Sequence, residues 1–327
     1  MQNQGWIVDQ PGGAFRLADL PHVPLRSGQV RVRICASGVN PLDLKIRKGE
    51  AQHALQPLPA VLGIDMAGVV EERSPDGGPF EPGDEVYGMA GGVGGRQGTL
   101  ARSMVAEADL LAPKPKNLTM REAAALPLSV ITAWEGLVDR ARVREQQKVL
   151  IHAGAGGVGQ IAVQLARAFG AEVFATVSEN KAEVVMRLGA TPIDYRRLSV
   201  EDYVAQSTGG SGFDIVYDTV GGETLDASFR AVKRYTGHVV SSLGWGSHSL
   251  APLSFRGATY SGVFTLLPLL TGEGMAHHGE ILRQAAALAE AGQLRPVLNE
   301  RRFSGATLED AYAAVASGLT GKVVIEL

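Results

Sequence analysis

The spacing of apolar residues changes character along this chain, and the change divides it. Gln29 to Cys35 alternates, with Val30, Val32 and Ile34 on one face and Arg31 and Arg33 on the other, the period-two pattern of a half-buried strand. Val61 to Glu72, containing Ala67-Gly68-Val69-Val70-Glu71, reads as another strand, and turn clusters follow at Pro75 to Pro79 and at Glu81-Pro82-Gly83-Asp84. Short strands at this spacing predict a β-rich, barrel-like or sandwich-like unit in the first third. Near Thr119 the texture shifts. Thr119 to Glu122 has the form of a capping box, Glu122 to Leu126 that of a short helical turn before Pro127, and Thr132 to Val138 that of a helix. From Lys148, strand and helix patterns alternate over 149–153, 158–169, 172–177, 180–188, 191–195, 213–218, 223–234 and 237–243. That alternation predicts an α/β fold, a doubly wound parallel sheet with helices on both faces. The tail predicts amphipathic helices over 278–291 and 307–317, each followed by a short strand, Arg295 to Asn299 and Lys322 to Leu327. A β-rich start, an α/β middle and a mixed tail point to a discontinuous first domain with the α/β domain inserted into it.

The stretch 149–171 carries the strongest motif. Val149, Leu150 and Ile151 suit a strand buried on both faces; Gly154, Gly156 and Gly159 follow with G-x-G-x-x-G spacing. Val158, Ile161, Ala162, Leu165, Ala166 and Phe169 then share one helical face, and Gly170 stops the helix. In a chain with 41 glycines the pattern alone is weak, but here it joins a strand to a helix inside a βαβ unit. The glycines permit a tight turn and close approach to a pyrophosphate, whose charge the helix N-terminus stabilises. A dinucleotide site is expected.

Composition narrows the class. The 327 residues suffice for two domains, and 45% hydrophobic with 20% charged content is ordinary for a globular protein. A net charge of −3, without a basic run, gives no footprint for nucleic acid or an anionic membrane. Met1 to Trp6 lacks the regions of a signal peptide, and the apolar run Gly262 to Leu270 is broken by Pro268, so a cytoplasmic protein with no membrane partner is expected. The single cysteine, Cys35, excludes an intramolecular disulfide and a cysteine zinc cluster.

Which dinucleotide binds depends on the end of the second strand, where an NAD site usually places a carboxylate for the ribose 2′-hydroxyl. Here Ser178 follows Val177, then Glu179-Asn180-Lys181. Ser178 leaves room for a 2′-phosphate and can donate to it; Lys181 adds charge, and Tyr195, at the end of the next strand, a hydroxyl. The competing reading makes Ser178 a helix cap and Lys181 a solvated side chain. Glu179 dissents, since turned inward it would take the ribose and favour NAD. The balance favours NADP(H).

Several motifs in one order resemble the zinc-independent quinone oxidoreductase branch of the medium-chain dehydrogenase/reductase superfamily. They are Gly38-Val39-Asn40-Pro41-Leu42-Asp43-Leu44-Lys45-Ile46-Arg47-Lys48-Gly49, Leu62 to Val70, Gly83 to Gly88, Leu126-Pro127-Leu128 with Thr132 to Leu137, Ala153 to Gly159, and Thr320 to Val324. The resemblance runs nearly end to end. It implies a GroES-like substrate domain built from residues 1–124 and 263–327, a Rossmann domain over 125–262, and a site in the cleft between them. It implies that Ser178, Lys181 and Tyr195 hold the 2′-phosphate, and that Thr132, Gly154, Gly156, Gly157, Val158, Gly159 and Leu243 line the cofactor. Val263-Phe264-Thr265 would meet the nicotinamide carboxamide, with Lys322 close by. It also implies a homodimer formed through the Rossmann sheets.

Zinc-dependent relatives carry Cys-His-x-x-Asp at the position of Asn40 and Gly-His-Glu where this chain has Gly63-Ile64-Asp65. Ile64 cannot ligate a metal and Asn40 is a poor zinc ligand; Met89 to Ser103 has no cysteine for a structural zinc lobe. His277 and His278 point about 100° apart on a helix and read as a solvated pair. No metal is expected. Reduction of a quinone or enone then leaves an oxyanion for the protein to stabilise. Asn40 offers an amide N–H, Lys45 a cation able to deliver a proton once burial lowers its pKa, and Asp43 an orienting acceptor for Lys45 or the ribose. In several quinone reductases of the family the Lys45 position is Tyr, whereas Asn-Pro-x-Asp-x-Lys accompanies reduction of enone double bonds. The expected activity is NADPH-dependent hydride transfer to a quinone or α,β-unsaturated carbonyl. The alternatives are a catalytically weak NADPH-binding protein serving as a redox sensor or soluble structural component and, less favoured, a zinc alcohol dehydrogenase. No G-x-S-x-G or phosphate-binding P-loop pattern is present, and Gly91 to Gly98 reads as a mobile loop.

Overall fold

The computed structural model describes residues 3–76 and 78–327; Met1, Gln2 and Gly77, the last inside the expected turn Pro75 to Pro79, lie outside the described residues. The chain forms two compact units, Met1–Leu128 with Leu266–Leu327, and Ser129–Thr265.

The first unit begins with β1 (Gln4–Val8), β2 (Phe15–Asp19) and β3 (Gln29–Val39), then α1 (Pro41–Lys48). β4 (Ala60–Val61), β5 (Asp65–Arg73), β6 (Glu85–Met89), β7 (Ser103–Glu107) and β8 (Leu111–Pro113) follow, then α2 (Met120–Ala124); α3 (Pro127–Trp134) begins at the end of this segment and belongs mostly to the second unit. Val30, Val32 and Ile34 are buried as their alternation predicts, in a core with Met66, Val70, Val86 and Met104. Beyond Ile34 the strand continues five residues and is covered on both faces, so the alternating signal stops before the strand does. The expected strand over 61–72 is two, β4 and β5, parted where Gly63 turns with φ 97°. The capping box at Thr119 forms: its side chain accepts from Glu122 N at 3.2 Å, and Glu122 accepts from Thr119 N at 2.9 Å.

The second unit carries the alternating pattern. It comprises β9 (Lys148–Ile151), α4 (Gly157–Ala168), β10 (Glu172–Val177), α5 (Ala182–Arg187), β11 (Thr191–Asp194) and α6 (Val200–Thr208). β12 (Ile215–Asp218), α7 (Glu223–Ala231), β13 (His238–Ser241), α8 (Ala251–Ser254) and β14 (Thr259–Gly262) complete it. The strands form one parallel sheet in the order β11-β10-β9-β12-β13-β14, the doubly wound arrangement whose order reverses between β9 and β12. Leu150, Phe174, Phe213, Val216, Phe229 and Val239 pack its core. The expected helix over 132–138 is displaced: α3 ends at Trp134 and passes into a π-helical turn, Glu135–Arg140. There, a Cβ on Gly136 would lie 2.8 Å from the Tyr217 ring, so the two can pack closely only with glycine.

The chain then returns to the first unit with α9 (Leu267–Thr271), α10 (Met275–Glu290), β15 (Phe303–Ser304), α11 (Leu308–Ala316) and β16 (Val323–Glu326). β16 pairs antiparallel with β3, giving a sheet of order β15-β16-β3-β5-β6-β8 with β7 also on β3; β2-β1-β4 form a smaller sheet. This is the GroES-like architecture, and the parallel-sheet unit is a Rossmann fold. Three expectations are corrected. Arg295 to Asn299 is not a strand, because only Leu298 bridges to Lys322. His278 is fully buried, since α10 lays that face on β6 and β8, while His277 is exposed. Gly91 to Gly98 follows β6 directly and is tied down: Gly94 N donates to Ala54 O at 2.9 Å, Gly98 N to Val61 O at 3.1 Å and Arg96 Nε to Leu269 O at 3.0 Å. Among the described residues no helix is long and apolar enough to cross a membrane.

The buried Tyr87 hydroxyl donates to Leu282 O at 2.6 Å, joining β6 to α10. Tyr87→Phe leaves that carbonyl without its partner and is expected to cost about 1–2 kcal/mol, read as a lower urea midpoint with unchanged slope.

Candidate active site

In the second unit the glycine loop is shaped by β10. Ala153 N donates to Thr176 Oγ1 and Gly154 N to Thr176 O, both at 3.1 Å. His152 Nδ1 shares the same hydroxyl at 3.1 Å, and burial pushes His152 down to about 4 against the opposing pull of Asp218, so it is neutral near pH 7. Ala153 holds φ 52°, a left-handed conformation costly to a residue with a Cβ. Gly156 caps α4 from an extended conformation, and the exposed Gly156 and Gly157 bring the chain into its N-terminus. A Cβ on Gly159 would lie 2.2 Å from Ala153 O, so only glycine lets the helix start against the loop. This is a bare-backbone cradle at a helix N-terminus, fit for a pyrophosphate.

The other residues expected at the cofactor follow the carboxyl ends of the same strands. Ser178 follows β10, with its hydroxyl donating to Asn180 Oδ1 at 2.6 Å rather than capping a helix. Lys181 closes the next turn, its N donating to Ser178 O at 2.9 Å, and Tyr195 stands exposed after β11 with the Arg196 guanidinium over its ring. Glu179 turns to Arg197, 2.7 Å away, and not inward. Leu243 follows β13, and Phe264 and Thr265 follow β14, with Phe264 against Trp245. Val158 lies in the first turn of α4, and Thr132 O accepts from Tyr217 Oη at 2.7 Å. The fold thus sets the residues that follow β9, β10, β11, β13 and β14 along one edge of the parallel sheet, where ligands of such sheets bind, whereas Thr132 lies on α3.

The first unit gathers a second group. Asn40 N-caps α1, and Asp43 Oδ2 accepts from Asn40 N at 2.8 Å, so the acceptor expected to orient Lys45 or the ribose orients the Asn40 backbone. The Asn40 side chain turns away from the helix: Nδ2 donates to Asp65 Oδ2 at 2.9 Å, and Oδ1 accepts from Lys322 Nζ. Asp65 Oδ1 in turn accepts from Leu128 N at 2.8 Å. Asp65 is fully buried, Asn40 and Asp43 are each 1% exposed, and Lys322 keeps 5%. Burial raises Asp43 to about 7 and Asp65 to about 6, with Lys322 opposing both, and burial lowers Lys322 against the pull of the two carboxylates. Lys322, expected beside the cofactor, is the cation of this cluster. Lys45 is not part of it: it is exposed on α1, where its charge bears on His53. Asp65 carries no local signal of its own beyond its place in Gly63-Ile64-Asp65, where zinc-dependent relatives have Gly-His-Glu. Among the described residues no three His, Cys, Asp or Glu side chains converge as a metal site would require.

Comparison with known proteins agrees with both units. Residues 26–116 match the alcohol dehydrogenase GroES-like domain, and residues 188–325 match the zinc-binding dehydrogenase model. The chain is 37% identical over 310 residues to 2-methylene-furan-3-one reductase of Solanum lycopersicum, covering 92% of this chain and 72% of that one. It is 33% identical over 334 residues to the chloroplastic NADPH-dependent alkenal/one oxidoreductase of Arabidopsis thaliana, with 98% and 79% covered. The chain belongs to the quinone and enone oxidoreductase branch of the medium-chain dehydrogenase/reductase superfamily. Within that superfamily, the crystal structure of an alcohol dehydrogenase superfamily protein from Novosphingobium aromaticivorans is 55% identical, with a TM-score of 0.97 over 99% of each chain. The spectinabilin polyketide synthase system protein NorB of Streptomyces orinoci is 38% identical over 298 residues, 89% of this chain, which spans only 13% of that protein.

Asp43 gives a pH signature. Its folded pKa lies near 7 against an ordinary 3.8, so its stabilising effect is complete below pH 4 and is lost as pH rises through 7. Asp43→Asn, which keeps an acceptor for Asn40 N, removes that loss. The Tm of the variant relative to the unaltered protein is expected to climb between pH 4 and pH 8, measured by calorimetry at fixed ionic strength.

Proposed function

We propose that the chain is an NADPH-dependent reductase of α,β-unsaturated carbonyls and quinones that works without zinc. The observation that carries the reading is the Asn40–Lys322–Asp65 cluster, in a chain whose other unit holds a dinucleotide loop. Bound NADPH supplies the hydride. The protein's own task is to hold the cofactor and to stabilise the oxyanion that reduction leaves. Asn40 has its carbonyl on Lys322 and one N–H on Asp65, so its amide is held in a single orientation and one N–H remains to donate. Asp43 fixes the backbone of Asn40 at the start of α1. The acid role expected of Lys45 requires a burial that its exposed side chain lacks. The relatives named as a 2-methylene-furan-3-one reductase and an NADPH-dependent alkenal/one oxidoreductase support the enone class.

Preference for NADPH rests on Glu179. The one carboxylate placed to accept the ribose 2′-hydroxyl is drawn to Arg197, leaving Ser178, Lys181 and Tyr195 around the end of β10 and β11. Zinc does not suit the residues present. Ile64 has no donor atom and Asn40 is already engaged on both ends of its amide. A cytoplasmic homodimer is part of the same proposal; β14 is an open edge of the parallel sheet, and the segments leading into β13 and β14 expose Tyr235 and Phe255.

The test is a kinetic panel of enones, quinones and alcohols with NADPH and NADH, run with metal analysis. Enone- or quinone-dependent oxidation of NADPH is expected. Cofactor binding without turnover would instead indicate the sensor reading, and stoichiometric zinc with alcohol oxidation would overturn the proposal. Lys181→Ala is expected to weaken NADPH binding about tenfold, as loss of a charge-assisted hydrogen bond does, and to leave NADH binding nearly unchanged by fluorescence titration. Equal loss for both cofactors would remove Lys181 from the 2′-phosphate.

A further inference from the structure

The chemistry assigned to Lys45 from the sequence has a different bearer. We propose that Lys322 is the catalytic cation of this enzyme: its ammonium meets the carbonyl oxygen of the substrate and gives up the proton that completes reduction. The proposal rests on the enone-reductase reading above and deepens it.

Three features of the first unit support it. First, an ammonium has three donors. Among the described residues Lys322 Nζ donates one bond, to Asn40 Oδ1, and the Asp65 carboxylate stands off at 3.9 Å, an ion-pair distance beyond hydrogen-bonding reach. Donors therefore remain on a cation whose position is set by others. Second, the surroundings hold that cation without consuming it. Asp65 is locked by Leu128 N and Asn40 Nδ2, so it supplies a fixed negative field. The charged groups facing Lys322 are Asp65 from β5 and Asp43 from α1, and Asp43 itself faces Tyr312 from α11. Third, the burial that depresses the Lys322 pKa makes its ammonium a better acid than an ordinary lysine. Lys322 also retains slight exposure where Asp65 has none.

The step balances. Hydride, supplied by NADPH, forms a C–H bond at the β-carbon; the C=C pair shifts and the C=O pair settles on oxygen as an enolate. The Lys322 N–H bond breaks as an O–H bond forms, and the enol then ketonises. Neutral Lys322 recovers its proton from water. The enone gains two electrons and two hydrogens, and NADPH is oxidised to NADP⁺.

Lys322→Arg, Lys322→Met and the surface control Lys48→Ala test it. Lys322→Met is expected to lower kcat on an enone by about a hundredfold, the lower range for loss of a general acid, with the NADPH Kd within threefold. Lys322→Arg keeps the charge but not the acidity, and is expected to lower kcat at least tenfold and to abolish the alkaline limb of the kcat–pH profile. Lys48→Ala should leave kcat unchanged. A readout free of turnover is ¹⁵N NMR of the cofactor-free protein labelled at lysine, in which the Lys322 Nζ resonance is expected to titrate below the other lysines and to shift on Asp65→Asn. If Lys322→Met does not fold, Lys322→Arg and the titration decide. The proposal is overturned if kcat survives in both variants, if NADPH affinity falls in step with kcat, if Lys45→Ala carries the loss instead, or if Lys322 titrates with the surface lysines. A protein that oxidises NADPH with no enone or quinone defeats the reductase reading, while the NMR titration still decides the state of Lys322.

Discussion

The structure of the first unit depends on a buried polar link between residues far apart in the chain. Asn40 follows β3, Asp65 begins β5, Lys322 precedes β16, and all three meet through the amide of Asn40. Leu128 N adds the start of α3 to the same carboxylate. Burying such charges brings little net stability, because desolvation offsets the attraction, but removing one partner leaves an unpaired charge at a cost of about 3–5 kcal/mol. The link therefore acts chiefly as a specification. It fixes the register at which the C-terminal strand joins β3, and it rejects arrangements in which any member is missing.

The two units solve different problems with different materials. In the parallel sheet every strand runs the same way, so the turns that leave the strands emerge along one edge, and Gly154, Ser178, Tyr195, Leu243 and Thr265 are brought there by topology alone. Backbone N–H groups and helix ends do most of the binding in such a place, which is why small residues dominate the loop. The antiparallel sheet has no such edge. Its buried polar cluster is gathered by side chains reaching between neighbouring elements, and it needs the particular identities Asn40, Asp65 and Lys322 to do so.

That difference explains what could be read from the sequence. The glycine loop, its helix and the alternating strands were legible because each signal is local: Gly154 to Gly159 and the face from Ile161 to Ala166 lie within a few turns of one another. The capping box at Thr119 was legible for the same reason. α6 went unseen although Ser199 and Asp202 form a capping box before it, a local signal that was available. The cluster in the first unit was not legible. Lys45 and Lys322 are the same residue type, and only the fold decides that one is exposed and the other enclosed with Asn40 across 282 positions. His278 and the loop after β6 failed similarly, since polarity and glycine content say nothing about what packs on top. Arg295 to Asn299 has a strand-like composition but only one bridge to pair with.

The pair formed by Glu179 and Arg197 lies open to solvent, with side-chain exposures of 71% and 67%. Ions in that position feel the surrounding electrolyte, whose screening length shrinks to roughly 8 Å at physiological strength. A carboxylate restrained by such a partner is restrained less as salt rises, and the proposed attraction of Lys181 for a phosphate weakens as well. Discrimination between the two nicotinamide coenzymes, where it rests on these groups, is therefore a joint property of the polypeptide and its medium. The enclosed cluster around Lys322 is shielded from that influence, so the two groups of charged side chains respond to ionic strength on separate scales.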